Sequence, residues 1–401
     1  MSFLIALLGL GFLIFFHELG HFIAAKLCGV AVLEFSIGMG PRLFSFVWRN
    51  TRYSIKLLPL GGSCAMLGED AAGSGDFLTA TGKECLKDES DPTAAQTVID
   101  YDGVQFSKED LPKYTFQGKS AGKRFFICIA GVLNNFIIAF IMAAVLIHFA
   151  GFDPLYVVGT ESNAPASSIG LAPGDRVTGI NYQGKRIKSM PSYRSLYIWK
   201  YLNTPDFNEN TVLTIRYQHN GHTMLSDFKP YYSEDQKTYN LGILFYGGRL
   251  MPETIPEYLS EICSEVQYNV NIVFESFKMI QKGRVSRNEV MGPVGTVAVI
   301  GTTVEQSSKY GIFNAFLVFL QLLIMISANL AIMNLLPIPG LDGGRLLFIL
   351  LEMISRRCLN PKIEEKINAA GMILLLIVMA LILSNDIWNV ISGAYKEILG
   401  G

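Results

Sequence analysis

Charge is scarce in this sequence: 17% of its 401 residues are Asp, Glu, Lys or Arg, while 50% are hydrophobic. Soluble domains of this size carry more charge and less apolar surface, so a membrane protein is the first expectation. No sign of charge prevails either, the formal net charge being -1. With no basic stripe interleaved with aromatics, the surface that neutralises phosphates is missing, which excludes nucleic acid as a partner. Cysteine is limited to six residues. The topology derived below leaves Cys28, Cys64, Cys85, Cys128 and Cys358 on the cytoplasmic side or in the membrane and only Cys263 outside, so no disulfide framework is expected.

What the chain does have is long apolar runs. A hydrocarbon core takes roughly 20 helical residues to cross, and four stretches qualify, at about 3–25, 125–151, 313–336 and 367–387. No Lys or Arg precedes the first run, and positive charge follows it at Lys26, Arg42, Arg49 and Arg52. It reads as a retained span, not a secretory leader. Lys119, Lys123 and Arg124 sit before the second span, and Arg345, Arg356, Arg357, Lys362 and Lys366 lie between the third and fourth. Short loops rich in Lys and Arg stay cytoplasmic, which puts both termini and the segment from about 152 to 311 outside.

The expected fold class is a polytopic α-helical membrane protein with four transmembrane helices, a membrane-associated β-rich turn region and an extracytoplasmic domain. Its order is a first transmembrane helix (1–30), a β-hairpin region (31–68), a polar cytoplasmic insertion (69–119) and the second transmembrane helix (120–151). A β-containing outer domain (152–250) and an amphipathic extracytoplasmic linker region (251–311) follow. The third transmembrane helix (312–345), a cytoplasmic loop or helix (346–366) and the fourth transmembrane helix with the C-terminus (367–401) complete it. Asp88, Glu89 and Asp91 make the insertion acidic and solvated. The runs LYVVG, RVTGINYQGKRI and TVLTIRYQHNG, broken by Gly, Pro and Asn, give the outer domain its strand character. His219 and His222 flank Asn220-Gly221, a hairpin signal.

Chemistry concentrates in the first span, where His17-Glu18-Leu19-Gly20-His21 forms H-E-x-x-H. On a helix the two histidines share a face and can bind one Zn²⁺, with Glu18 as base for a metal-activated water. Polar groups at this depth are costly, roughly 2.5 to 3.5 kcal/mol for a central Asp, so they require a partner or a wet cavity. Two histidines leave a hydrolytic zinc one protein ligand short. Asp342, in Asn334-Leu-Leu-Pro-Ile-Pro-Gly-Leu-Asp-Gly-Gly344 at the end of the third span, is the best supplier. Pro337 and Pro339 stop a regular helix there, and the glycines permit a bent backbone. The other reading of Asp342, as N-cap of the helix beginning RLLFILLEMI, has equal standing on sequence. His148 ends the second span and reads as interfacial. Asn134, Asn135, Gln321 and Asn329 read as interhelical hydrogen-bonding groups, Asn135 being the one elevated toward substrate.

These motifs, four spans and a β domain between the second and third together resemble the bacterial site-2 proteases of regulated intramembrane proteolysis. FSIGMGP, LLPLGG, Gly131-x-x-x-Asn135, GPVG at Gly292 to Gly295 and N-x-x-P-x-P-x-L-D-G-G extend the likeness over nearly the whole chain. The resemblance implies that His17, His21 and Asp342 bind a single zinc, that Glu18 is the catalytic base, and that Asn334 holds the substrate backbone extended. Asn135, Pro337 and Pro339 join Asn334 as expected substrate contacts. Val132 stands where the family often has Pro, and Ser63-Cys64 where an aromatic is common. The outer domain resembles a single PDZ domain, on Ala166-Ser-Ser-Ile-Gly-Leu-Ala-Pro-Gly-Asp-Arg-Val177. The expected substrates are single-span membrane proteins already cut on the outer side, anti-sigma factors or remnant signal peptides, in the bacterial cytoplasmic membrane. The alternative is a non-catalytic membrane scaffold that presents the PDZ domain.

Overall fold

The structure, a computed structural model, describes residues 2–69, 98–101, 103–107, 111–161, 164–182, 184, 187–285, 291–356 and 361–392. The acidic cluster Asp88, Glu89 and Asp91 lies outside the described residues, as do Cys85 and Cys358. In chain order the elements begin α1 (Ser2–Cys28), β1 (Val32–Val47), β2 (Arg52–Met66), β3 (Val98–Tyr101), β4 (Val104–Ser107), α2 (Leu111–Tyr114) and α3 (Ala121–Ala150). Next come β5 (Val157–Thr160), β6 (Arg176–Tyr182), β7 (Lys188–Ser189), α4 (Tyr193–Asn203), β8 (Leu213–His219), β9 (His222–Phe228), β10 (Tyr231–Ser233), β11 (Thr238–Asn240) and β12 (Ile243–Phe245). The last are α5 (Ile255–Gln281), α6 (Pro293–Ser308), α7 (Ile312–Leu335), α8 (Asp342–Ser355) and α9 (Pro361–Ser392).

Four of these helices are long and apolar enough to cross a membrane: Leu4–Cys28, Ala121–Ala150, Ile312–Leu335 and Lys366–Asn389. Helix is the form such segments must take, because hydrocarbon offers no partner for an open N–H or C=O. The chain divides into two units, residues 1–139 with 285–401, and residues 140–284.

In the first unit, Gly20 brings α1 against α3: a Cβ there would lie 2.4 Å from the Ala130 carbonyl oxygen. Beside α1, β1 and β2 fold back on themselves. Phe35 lies opposite both Cys64 and Tyr53, while residues 42–47 pair with 52–56. The segments therefore run in the order 42–47, 52–56, 32–37, 62–66, which leaves residues 62–66 at one edge. The C-terminal part of the expected insertion is structured: β3 and β4 form an antiparallel hairpin. Val104 and Phe106 are buried with Ala31, Leu33 and Leu67, and hydrophobic burial holds this hairpin to the sheet region.

α7 stops where Pro337 forbids it to continue, and Leu336 is already extended at φ -61°, ψ 140°. The chain then turns back tightly. A Cβ on Gly343 would meet the Leu336 carbonyl oxygen at 2.1 Å, and one on Gly344 the Ile338 carbonyl oxygen at 2.5 Å, so only glycine fits either place. Within the region 251–311, residues 293–308 form α6, which packs on α1 and α7 through Val297, Ile300 and Val304. Its N-terminus is capped from the fourth span: the Asp386 carboxylate accepts from Gly292 N at 2.8 Å and Gly295 N at 2.9 Å. Those donors have no partner inside their own helix, and the positive helix end favours a carboxylate.

In the second unit, a four-stranded antiparallel sheet runs β7-β6-β8-β9, with β5 and β12 paired separately. Asn220 and Gly221, both at positive φ, turn β8 into β9. Val177, Ile180, Leu196, Trp199, Leu213 and Ile215 lie at the centre of its core. α5 opens on a capping pair: Thr254 Oγ1 accepts from Glu257 N, and the Glu257 carboxylate accepts from Glu253 N. Charge fixes it to β6 and α4, with Arg176 on Glu261 at 2.6 Å and Arg194 bridging Asp153 at 3.0 Å and Glu265 at 2.5 Å.

Candidate metal centre

The i, i+4 spacing puts the His17 and His21 rings on one face of α1, edge to face with centroids 4.9 Å apart. Their Nε2 atoms are 3.3 Å apart. Asp342 Oδ2 lies 3.0 Å from the first and 3.2 Å from the second. A tetrahedral zinc with bonds of about 2.0 Å has ligand-to-ligand edges of about 3.3 Å, so the three atoms already occupy three corners of such a site. Among the described residues this is the group of His, Cys and carboxylate side chains placed to hold an ion.

The two readings of Asp342 separate here. The cap position of α8 is Leu341, with no side-chain capping bond, and Asp342 is the first residue of the helix. Its carboxylate turns to the two histidines instead.

Both rings are oriented from behind by α3. His21 Nδ1 donates to the Ile127 carbonyl at 2.9 Å, which leaves the Nε2 lone pair facing Asp342. Asn135, fully buried, stands with Nδ2 3.1 Å from His17 Nδ1 while its Oδ1 has no partner. Amide oxygen and nitrogen exchange places on a half-turn of the side chain. Turned so, Oδ1 accepts the His17 Nδ1 proton, the buried acceptor is satisfied and Nε2 is free for a metal. This orphaned oxygen and the donor spacing fit zinc. The same Asn135 accepts from Ser327 Oγ at its own carbonyl, 2.8 Å, joining α3 to α7. Gly131 completes the wall, since a Cβ there would lie 2.2 Å from His21 Nε2.

Glu18, next to His17 on α1, faces β2. The Cys64 backbone N–H is the main-chain donor nearest its carboxylate. A Cβ on Gly62 would come 3.1 Å from its Cγ. Asn334 is at the rim, its Nδ2 3.4 Å from His17 Nε2. Pro337 is exposed. Pro339 is held from α9, where a Cβ on Gly371 would meet its carbonyl oxygen at 2.3 Å. Asn135, expected among the substrate contacts, is instead buried behind His17. Below Asp342, Arg345 donates to the buried Glu69 carboxylate, and Arg124 donates to Glu352 at 2.7 Å. Burial pushes the Glu69 carboxyl above its usual range against the pull of Arg345.

The sequence profile of Peptidase family M50 matches residues 5–378. The chain belongs to peptidase family M50. A Fusobacterium nucleatum protein provisionally named a zinc metalloprotease is 31% identical over 394 residues, 97% of this chain and 99% of its own length. One from Clostridium acetobutylicum, named in the same way, is 31% identical over 385 residues, 96% of each chain. Zinc metalloprotease RasP of Shouchella clausii is 28% identical over 432 residues, 95% of this chain and 97% of its own length. This M50 member is a zinc metalloprotease of the site-2 type in a multi-pass membrane setting.

Residues with no site role expected from the sequence also shape the site. Gly62 and the Cys64 amide meet Glu18, and Asp386 fixes α6. Asp386 carried a signal, being a carboxylate within an apolar span. The Cys64 contribution carried none, because it is a backbone N–H.

Proposed function

We propose that the chain is an intramembrane endopeptidase that cuts the transmembrane segments of single-span membrane proteins, with one zinc held by His17, His21 and Asp342. The observation that carries this is the convergence of those three ligands from α1 and α8 beside Glu18 inside a membrane span. When bound, zinc supplies Lewis acidity to the scissile carbonyl and to the attacking water. Glu18, steadied by the Cys64 N–H, takes the proton from that water and returns it to the leaving nitrogen. Asn135 keeps His17 in the metal-binding tautomer, and Ile127 does the same for His21.

A substrate helix must open locally, because its carbonyls are occupied by helical hydrogen bonds. The edge formed by residues 62–66 runs past Glu18 and supports the reading that the opened strand pairs there. Asn334, at the rim, is positioned to hold that strand, with Pro337 and Pro339 beside it. The β-rich second unit is read as a PDZ domain on the outer side, consistent with the Lys and Arg placed around the other membrane face. Anti-sigma factors and remnant signal peptides, already shortened outside, are the expected substrates.

The test is Glu18→Gln in the full chain, incubated in vesicles with a single-span reporter. Loss of cleavage with zinc retained supports the reading; unchanged cleavage refutes Glu18 as the base, and parental cleavage no greater than in vesicles without the chain leaves the non-catalytic scaffold in its place.

A further inference from the structure

We propose that α8 is a lipid-facing helix, inclined in the leaflet nearest the C-terminal end of α1, whose leucine face rests in acyl chains while its opposite face carries the third metal ligand. The helix is inside out by the standard of a water-exposed one. Asp342, Arg345, Ile349 and Glu352 follow one face and turn into the protein. Leu346 and Ile349 are buried with Ala24, Ala25, Ile127 and Cys128. On the other face Leu347, Leu350, Leu351 and Ile354, at i, i+3, i+4 and i+7, are 40%, 40%, 45% and 79% exposed. Four aliphatic side chains at that spacing would be an aggregation-prone stripe in water. The occupant that fits them is lipid, and the depth of α8 says so independently.

Asp342 meets His21, which lies seven residues before Cys28, the end of the first span. At about 1.5 Å per residue, the start of α8 is about 10 Å inside that end. Glu352 meets Arg124, the fourth residue of α3 and of the second span. That contact is only about 5 Å inside the span's end by the same measure. The helix therefore rises toward the membrane surface from Asp342 to Glu352, and Leu347, Leu350 and Leu351 lie between those depths. Charged groups at such depth turn to protein partners, as Arg345 and Glu352 do. The bilayer then presses on α8 from outside while Glu69 and Arg124 hold it from inside, and Asp342 is kept at the histidines. This inference rests on α1 and α3 spanning the membrane, not on catalysis.

The test uses the unaltered full-length protein in phosphatidylcholine vesicles containing a tracer with a diazirine in its acyl chain, irradiated and mapped by peptide mass spectrometry. Adducts are expected on Leu347, Leu350 and Leu351 at a level comparable to the exposed α9 side chains Leu374 and Ile377, and not on Arg345 or Ile349. Labelled α9 with an unlabelled 342–355 peptide would overturn the proposal. A second arm incorporates photoleucine in place of leucine. Phospholipid-mass adducts on the 342–355 peptide support a lipid face, whereas chain-to-chain crosslinks there in place of lipid would assign the face to a second copy and refute it.

Discussion

Gly131→Ala drives a single methyl group directly against a ligand of the metal centre. The added carbon would lie 2.2 Å from His21 Nε2, 2.6 Å from Cε1 and 2.8 Å from Cδ2. Comfortable contact is about 3.5 to 4.0 Å, so the shortfall exceeds about 1 Å. The helices cannot part freely, because α1 and α3 are already in contact at Gly20 and Ala130. The imidazole must therefore swing, breaking the Nδ1 bond to Ile127, worth about 0.5–1.5 kcal/mol, at a site where overpacking itself costs about 1–3 kcal/mol. A displacement of about 1 Å in a catalytic constellation lowers rates about 10²-fold. The expected protein is folded, binds less than one zinc per chain and cleaves a single-span reporter about 10²-fold more slowly. Metal analysis and a vesicle cleavage assay read both effects. Gly122→Ala, on the same helix but with nothing within 4 Å of the added carbon, is the control and is expected to behave as the parent. Full zinc and parental cleavage in Gly131→Ala would refute the placement of α3 behind His21.

Three further outcomes follow from the contacts described. Asn135→Ala removes the acceptor behind His17 and is expected to weaken zinc binding about 10- to 100-fold, read by chelator competition, whereas a substrate-contact role would raise KM with zinc retained. Asp386→Ala leaves the Gly292 and Gly295 N–H groups buried without their acceptor, about 1–3 kcal/mol each, and is expected to make α6 accessible to limited proteolysis. For Glu275, burial works to raise the carboxyl pKa, but Lys188 and Lys278 outweigh it and hold it below the usual 4.5. Its contribution to stability is complete above about pH 4.5 and is lost as pH falls through the lower folded value. A full-length thermal melt should accordingly drop on acidification, and Glu275→Gln should flatten that limb.

What the sequence shows best is what local patterning encodes. The four spans appear in hydropathy because hydrocarbon thickness sets their length, and H-E-x-x-H appears because two ligands share one helix face. Asp342 was legible only as one of two roles; the choice depends on where its carboxylate turns, a tertiary property. Asn135 was visible as a polar residue in a span, but its position behind His17 depends on how α3 packs on α1. The β3–β4 hairpin had a signal that composition overrode. The pair Asp102-Gly103, between VIDY and VQFS in an otherwise polar insertion, is a hairpin signal in the sequence. α8 has the helical period of a surface helix, and periodicity cannot say which face meets protein. Its charges point inward because Glu69 and Arg124, distant in sequence, wait there.

The central claim is that one zinc is shared between two elements separated by more than three hundred residues, and zinc X-ray absorption on the purified full-length protein tests it most directly. The account predicts two imidazole nitrogens and carboxylate oxygen at about 2.0–2.2 Å, with the oxygen shell reduced in Asp342→Ala. A sulfur shell at about 2.3 Å, from Cys64 or Cys128 near the site, or a spectrum unchanged in Asp342→Ala, would contradict it.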